Sequence, residues 1–149
     1  MVHTPQHDSL FREVFSLPLV ARQFLTQWLP REFTELVDWS SMRVEKISGV
    51  NPALARRYED VVYRIKAAGA SVWFYLLVEH QSRPEMAMPL RVLEYTVLVW
   101  QEHRREFGVS RGLPLVVPVV LYPGPGRWAA PRRLREMMGV PESIRAWAI

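Results

Sequence analysis

Asp60 and Glu79 are separated by eighteen mostly apolar positions, and Gln81 follows two residues after the second. If residues 57–66 and 72–79 form a hairpin centred between Gly69 and Ala70, Asp60 stands directly opposite Glu79, with Cβ atoms roughly 4.5–5.5 Å apart. The period of two puts Gln81 on the same face and His80 on the other. Two facing carboxylates at the end of an apolar hairpin repel, and burial makes their joint ionisation costlier. A hard cation relieves that conflict, because Mg²⁺ is bound by one or two carboxylates together with waters and phosphate oxygens. The chemistry such a set supports is phosphodiester hydrolysis, with charge on the phosphate stabilised and an attacking water acidified.

The elements that must position these residues follow from pattern. Asp8 is placed to cap a helix over residues 8–16, and Pro18 restarts a helix that Pro30 stops. Polar, irregular sequence is expected through Asp38 and Ser41, then strands over 43–47, 57–66 and 72–79, with a turn over 67–71. A long helix is expected over 87–107, with Pro89 in its first turn and Leu90, Leu93, Val97 and Trp100 as its apolar stripe. Arg91 and Tyr95, four apart, share a face of that helix; they are either ordinary helix surface or contacts that hold phosphate and order the site. Residues 113–121 read as a further buried strand, although Pro114 and Pro118 imply a bulge or an edge. The order is α-β-β-β-α-β, an α/β fold with a mixed sheet flanked by helices. Residues 132–149 resume a helical pattern.

The chain has 149 residues, 49% of them apolar, enough for one domain core and too few for two. Residues 1–149 are therefore expected to be a single domain, and the apolar ending at Trp147 points to the N-terminal part of a longer chain. The absence of cysteine excludes disulfides, thiolate catalysis and Cys-based zinc sites, and fits a cytoplasmic protein. No apolar run is long enough for a membrane span. The balance of 19 Lys and Arg over 15 Asp and Glu, a net +4, favours a polyanionic partner. Arg104, Arg105, Arg127, Arg132, Arg133 and Arg135 are either a solvated face or a track for a DNA backbone. The segment 122–126, Tyr-Pro-Gly-Pro-Gly, lacks the phosphate-loop pattern and reads as a turn. Trp28 and Trp100 are core residues or a homodimer surface.

Asp60 followed by Glu79-His80-Gln81 resembles the PD-(D/E)XK nuclease signature. The segments His7-Asp8-Ser9-Leu10-Phe11-Arg12, Arg57-Tyr58-Glu59-Asp60, Leu77-Val78-Glu79-His80-Gln81-Ser82, Met88-Pro89-Leu90-Arg91 and Val120-Leu121-Tyr122-Pro123-Gly124 resemble, in order, those of the Rpn recombination-promoting nucleases, also described as YhgA-like transposases. The resemblance covers residues 7–128. It implies a restriction-endonuclease-like core and a Mg²⁺-dependent DNA endonuclease, with Mn²⁺ able to substitute, linked to recombination, transposition or defence. Asp60 and Glu79 are then the metal ligands and Gln81 the residue that positions water; Asp8 or Glu13 supplies a further acidic ligand, and His80, Arg91 and Tyr95 are auxiliary or DNA-binding. Two departures stand out: Glu59 replaces the proline before Asp60, and Gln81 replaces the usual lysine. Glutamine holds a water but supplies no positive charge, so a catalytically inactive DNA-binding or protein-interaction module on the same scaffold is the alternative.

Overall fold

The computed structural model describes residues 10, 13–45, 61–78, 84–122 and 124–148. Residues 13–15 are helical, and Pro18 opens α1 (Pro18–Trp28) in the first turn, where its missing N–H costs nothing. Pro30 ends that helix and starts the single turn α2 (Arg31–Thr34). Strand β1 (Val37–Glu45) then begins at Val37, inside the segment expected to be irregular. Its polar residues serve the strand: Asp38 Oδ1 accepts from the Ser40 amide at 3.1 Å, and Ser41 Oγ accepts from the Lys66 amide at 2.8 Å. These bonds sit where the β1 register shifts between Asp38 and Arg43, so side chains satisfy backbone groups that the bulge leaves out of the ladder.

Strands β2 (Val61–Ala67) and β3 (Ala70–Val78) form the hairpin. Its turn is the pair Ala68-Gly69, with φ of 47° and 79°, the two positive values that a tight hairpin turn of matching twist requires. The expected turn over 67–71 is therefore too long, and its centre lies one residue too late. Val61 pairs with Leu76, where the expected hairpin would pair it with Val78. Helix α3 (Met88–Phe107) crosses back, and β4 (Leu115–Leu121) joins β3 in parallel. The sheet order is β1-β2-β3-β4, so β4 is an edge strand and tolerates Pro118; it is only half-buried, which corrects the expectation of a buried strand. After β4 the chain forms a 3₁₀ turn (Leu134–Met137) and a helical turn, α4 (Glu142–Arg145), rather than one helix, because Gly139 and Pro141 intervene.

Alternation along β2 and β3 divides the core in two. Val61, Tyr63, Ile65, Val72 and Phe74 pack with Ala21 and Leu25 beneath α1. Val62 and Trp73 face the other way and pack with Met88, Tyr95 and Val99 of α3. The stripe that α3 buries is thus 88-92-95-99-103, with Val92 partly covered and His103 buried. The expected stripe is displaced: Leu90, Leu93 and Val97 are exposed, and Trp100 is part-buried with its indole N–H donating to Pro114 O at 3.0 Å. Hydropathy misassigned the face because two of the contact positions carry Tyr and His. Trp28 is also exposed. The architecture is α/β, a four-stranded mixed sheet flanked by helices, consistent with a restriction-endonuclease-like core. Among the described residues no helix is long and apolar enough to cross a membrane.

Candidate active site

Asp8, Asp60, Glu79, His80 and Gln81 lie outside the described residues. The structure describes the strands that lead to four of them. β2 begins one residue after Asp60, and β3 ends one residue before Glu79. These strands are antiparallel neighbours, so the start of one and the end of the other share one end of the sheet. Among the described residues no three His, Asp or Glu side chains converge as a metal-binding set.

Above that end of the sheet, the first two turns of α3 carry Arg91 and Tyr95. Tyr95 is 9% exposed and belongs to the cluster with Val62 and Trp73. Arg91, whose side chain is 12% exposed, places Nη1 2.9 Å from Glu85 Oε2. Both expected residues are therefore largely covered, Tyr95 by the sheet and Arg91 beside its acid partner. A nearly buried guanidinium of this kind is held in place by its acid partner, since leaving it uncompensated would cost several kcal/mol, about 3–5 for a fully buried pair. Glu85 was missed in the sequence because it precedes the helix and carries no motif. Glu13 is exposed in the short helical segment that leads to α1.

The six arginines expected to track DNA fall into two groups. Arg105 pairs with Glu102 near the far end of α3, on the order of 20 Å from Arg91 at 1.5 Å per residue. Arg132 instead lines a cavity of about 510 Å³ beside the first turn of α3. Met88 and Val92 form one wall, Val120 and Tyr122 another, and Trp128 a third. The cavity lies toward the end of the sheet where β3 ends, because Val120 and Tyr122 of its lining flank Leu121, the partner of Val78. The segment read as a plain turn builds its aromatic wall. A Cβ at Gly124 would run into the Tyr122 ring, and the space left by glycine lets that ring meet Trp128 edge to face, centroids 5.4 Å apart at 83°. Glu136 braces the rim: its carboxylate accepts from the Arg132 amide at 2.8 Å, which, with nearby Arg133 and Arg135, holds its pKa below the usual value.

The fold defines an α/β protein with a four-stranded mixed sheet flanked by helices, consistent with a restriction-endonuclease-like core. The chain belongs to the family described as "Putative transposase, YhgA-like", whose model matches residues 5–147. It is 35% identical over 118 residues to recombination-promoting nuclease RpnD of Escherichia coli O157:H7, covering 79% of this chain and 45% of that protein. It is 32% identical over 121 residues to recombination-promoting nuclease RpnC of Escherichia coli K12, covering 81% and 40%. It is also 32% identical over 118 residues to the inactive recombination-promoting nuclease-like protein RpnE of the same strain, covering 79% and 39%. The chain spans less than half the length of these three relatives. No solved structure matches the chain.

Proposed function

We propose that this chain carries the hydrolytic centre of a Mg²⁺-dependent DNA endonuclease acting in recombination, with Asp60 and Glu79 as metal ligands and Gln81 as the residue that positions water. The observation that carries this reading is the meeting of the start of β2 and the end of β3 on adjacent antiparallel strands beneath Arg91 and Tyr95. Val62 and Trp73 face α3, so strand alternation, if it continues past Val61 and Val78, would send positions 60 and 79 to the α3 side. By the observed register the two carboxylates would be diagonal neighbours rather than directly opposed, with Cα atoms roughly 7–8 Å apart, a span that one ion between two side chains can bridge. The relatives named as nucleases support the same reading.

The donor chemistry fits: two carboxylates and no thiols suit a hard ion such as Mg²⁺, with Mn²⁺ as substitute. When bound, the ion supplies stabilisation of charge on the scissile phosphate and a more acidic water. Gln81 accepts and donates hydrogen bonds and so orients the water without adding charge. Arg91, fixed by Glu85, is the cation set to meet a phosphate oxygen, and Tyr95, four residues on, anchors that face of α3 to Val62 and Trp73. His80 and Asp8 are assigned auxiliary roles, and the lack of cysteine suits a cytoplasmic location.

A specific observation favours a second reading, a DNA-binding module without hydrolysis, because two relatives at 32% identity carry the word inactive in their names. Plasmid nicking in Mg²⁺ separates the two. The first reading expects cleavage that Asp60→Ala abolishes and EDTA stops; equal residual activity in wild type and variant would sink it.

A further inference from the structure

We propose that the cavity between α3, β4 and Trp128 takes one unstacked nucleobase of the DNA, with Arg132 and Arg127 meeting the flanking phosphates. The inference rests on the DNA reading above and goes beyond it by naming the form of DNA that binds. Its volume, about 510 Å³, is within the range of pockets that enclose small organic groups. Its lining is what a base requires. Tyr122 and Trp128 are flat aromatic walls, fixed against each other by the T-shaped contact that Gly124 permits. Pro89, Pro118 and Pro131 add rigid apolar surface that does not have to be ordered on binding. Bases bind such walls through their π-faces whatever their sequence.

Charge complementarity selects a nucleotide over an uncharged apolar guest. Arg132 lines the cavity, and Arg127, Arg133 and Arg135 lie within eight residues of it, against the single acid Glu136 in that stretch. Among the described residues neither Arg127 nor Arg132 is engaged in an ion pair, so both guanidinium groups are available to phosphate. Position favours the same guest. The cavity adjoins the sheet end to which Val61 and Val78 lead, and Met88 and Val92, which line it, flank Arg91 on α3. A base drawn out of the stack there would hold its backbone beside the proposed hydrolytic centre, and a bulged or single-stranded site would enter more readily than paired duplex because less unstacking is needed.

The test is binding by the full chain in EDTA, read as fluorescence anisotropy of two fluorescein-labelled duplexes, one fully paired and one with a single extrahelical adenine. The bulged duplex is expected to bind at least about five-fold more tightly. Val120→Trp, which fills the cavity from a half-exposed strand position, should remove the preference, bringing the affinities for the two duplexes together. Trp128→Ala should do the same, and the Val120 variant guards against a loss of folding when Trp128 is cut from the core it packs on. Equal affinity for both duplexes, or a preference that survives Val120→Trp, overturns the inference. Because no cleavage is read, a chain that prefers the bulge but nicks no plasmid keeps this inference and loses the hydrolytic one. A chain that nicks plasmid while binding both duplexes equally loses only this inference.

Discussion

The two faces of the central sheet are built by different rules. The α1 face is dry: Tyr63 and Phe74 are fully buried there, and the one polar group they bring, the Tyr63 hydroxyl, donates to Phe15 O at 2.5 Å. The α3 face admits polar residues as well. Arg91 and His103 are nearly buried in it, and the ring nitrogens Trp73 Nε1 and His103 Nδ1 lie buried without hydrogen-bond partners among the described residues. A buried polar atom left unsatisfied costs about 1–3 kcal/mol, so the second face gives up stability that the first supplies. Departures from good packing concentrate where function is placed, and the proposed centre and the aromatic cavity both lie on the α3 side.

That contrast can be broken most sharply at the chemistry. Asp60→Ala should reduce plasmid nicking in Mg²⁺ by about a hundred-fold or more while leaving the urea unfolding midpoint near wild type. Phe74→Ala should have the opposite signature, losing about 3–5 kcal/mol in urea denaturation, since Phe74 is 0% exposed in the dry cluster. Val99→Ala, the equally buried position on the α3 side, should cost about 2 kcal/mol in urea denaturation from two fewer carbons and the gap they leave. Tyr63→Phe removes the hydroxyl that ties residues 13–15 to β2 and should cost about 1–3 kcal/mol. Burial holds that phenol protonated far above the usual range, so its bond persists through ordinary alkaline conditions. The smallest effect is expected at the hairpin turn, where Ala68→Gly should stabilise by about 1 kcal/mol by relieving a positive φ.

The rim of the cavity adds a pH dependence of defined sign. The Glu136 carboxyl is held below its ordinary value by the Arg132 amide, then by neighbouring Arg133 and Arg135. A depressed folded-state value means that its contribution is present above the unfolded value and is lost as pH falls through the folded one. An NMR titration of the side-chain carboxyl should therefore show a midpoint below that of Glu136 in a peptide of the same sequence.

Sequence alone determined the order of elements, because proline breaks, β-branched runs and an uninterrupted helical period are local properties: Pro18, Pro30 and the span of α3 all fall where they were read. It also determined family membership, carried by segments from His7 to Gly124. The face that α3 buries was not legible, since Leu90, Leu93 and Val97 are as apolar as the stripe that packs, and only the sheet beneath chooses between them. The hairpin register was misread by one step at its centre because Ala68 accepts a conformation usually left to glycine. The Tyr122–Trp128 wall and the Glu85–Arg91 pair were invisible for another reason: each joins residues six apart in a segment that leaves a strand or enters a helix, where neither the helical nor the strand period says which side chains meet.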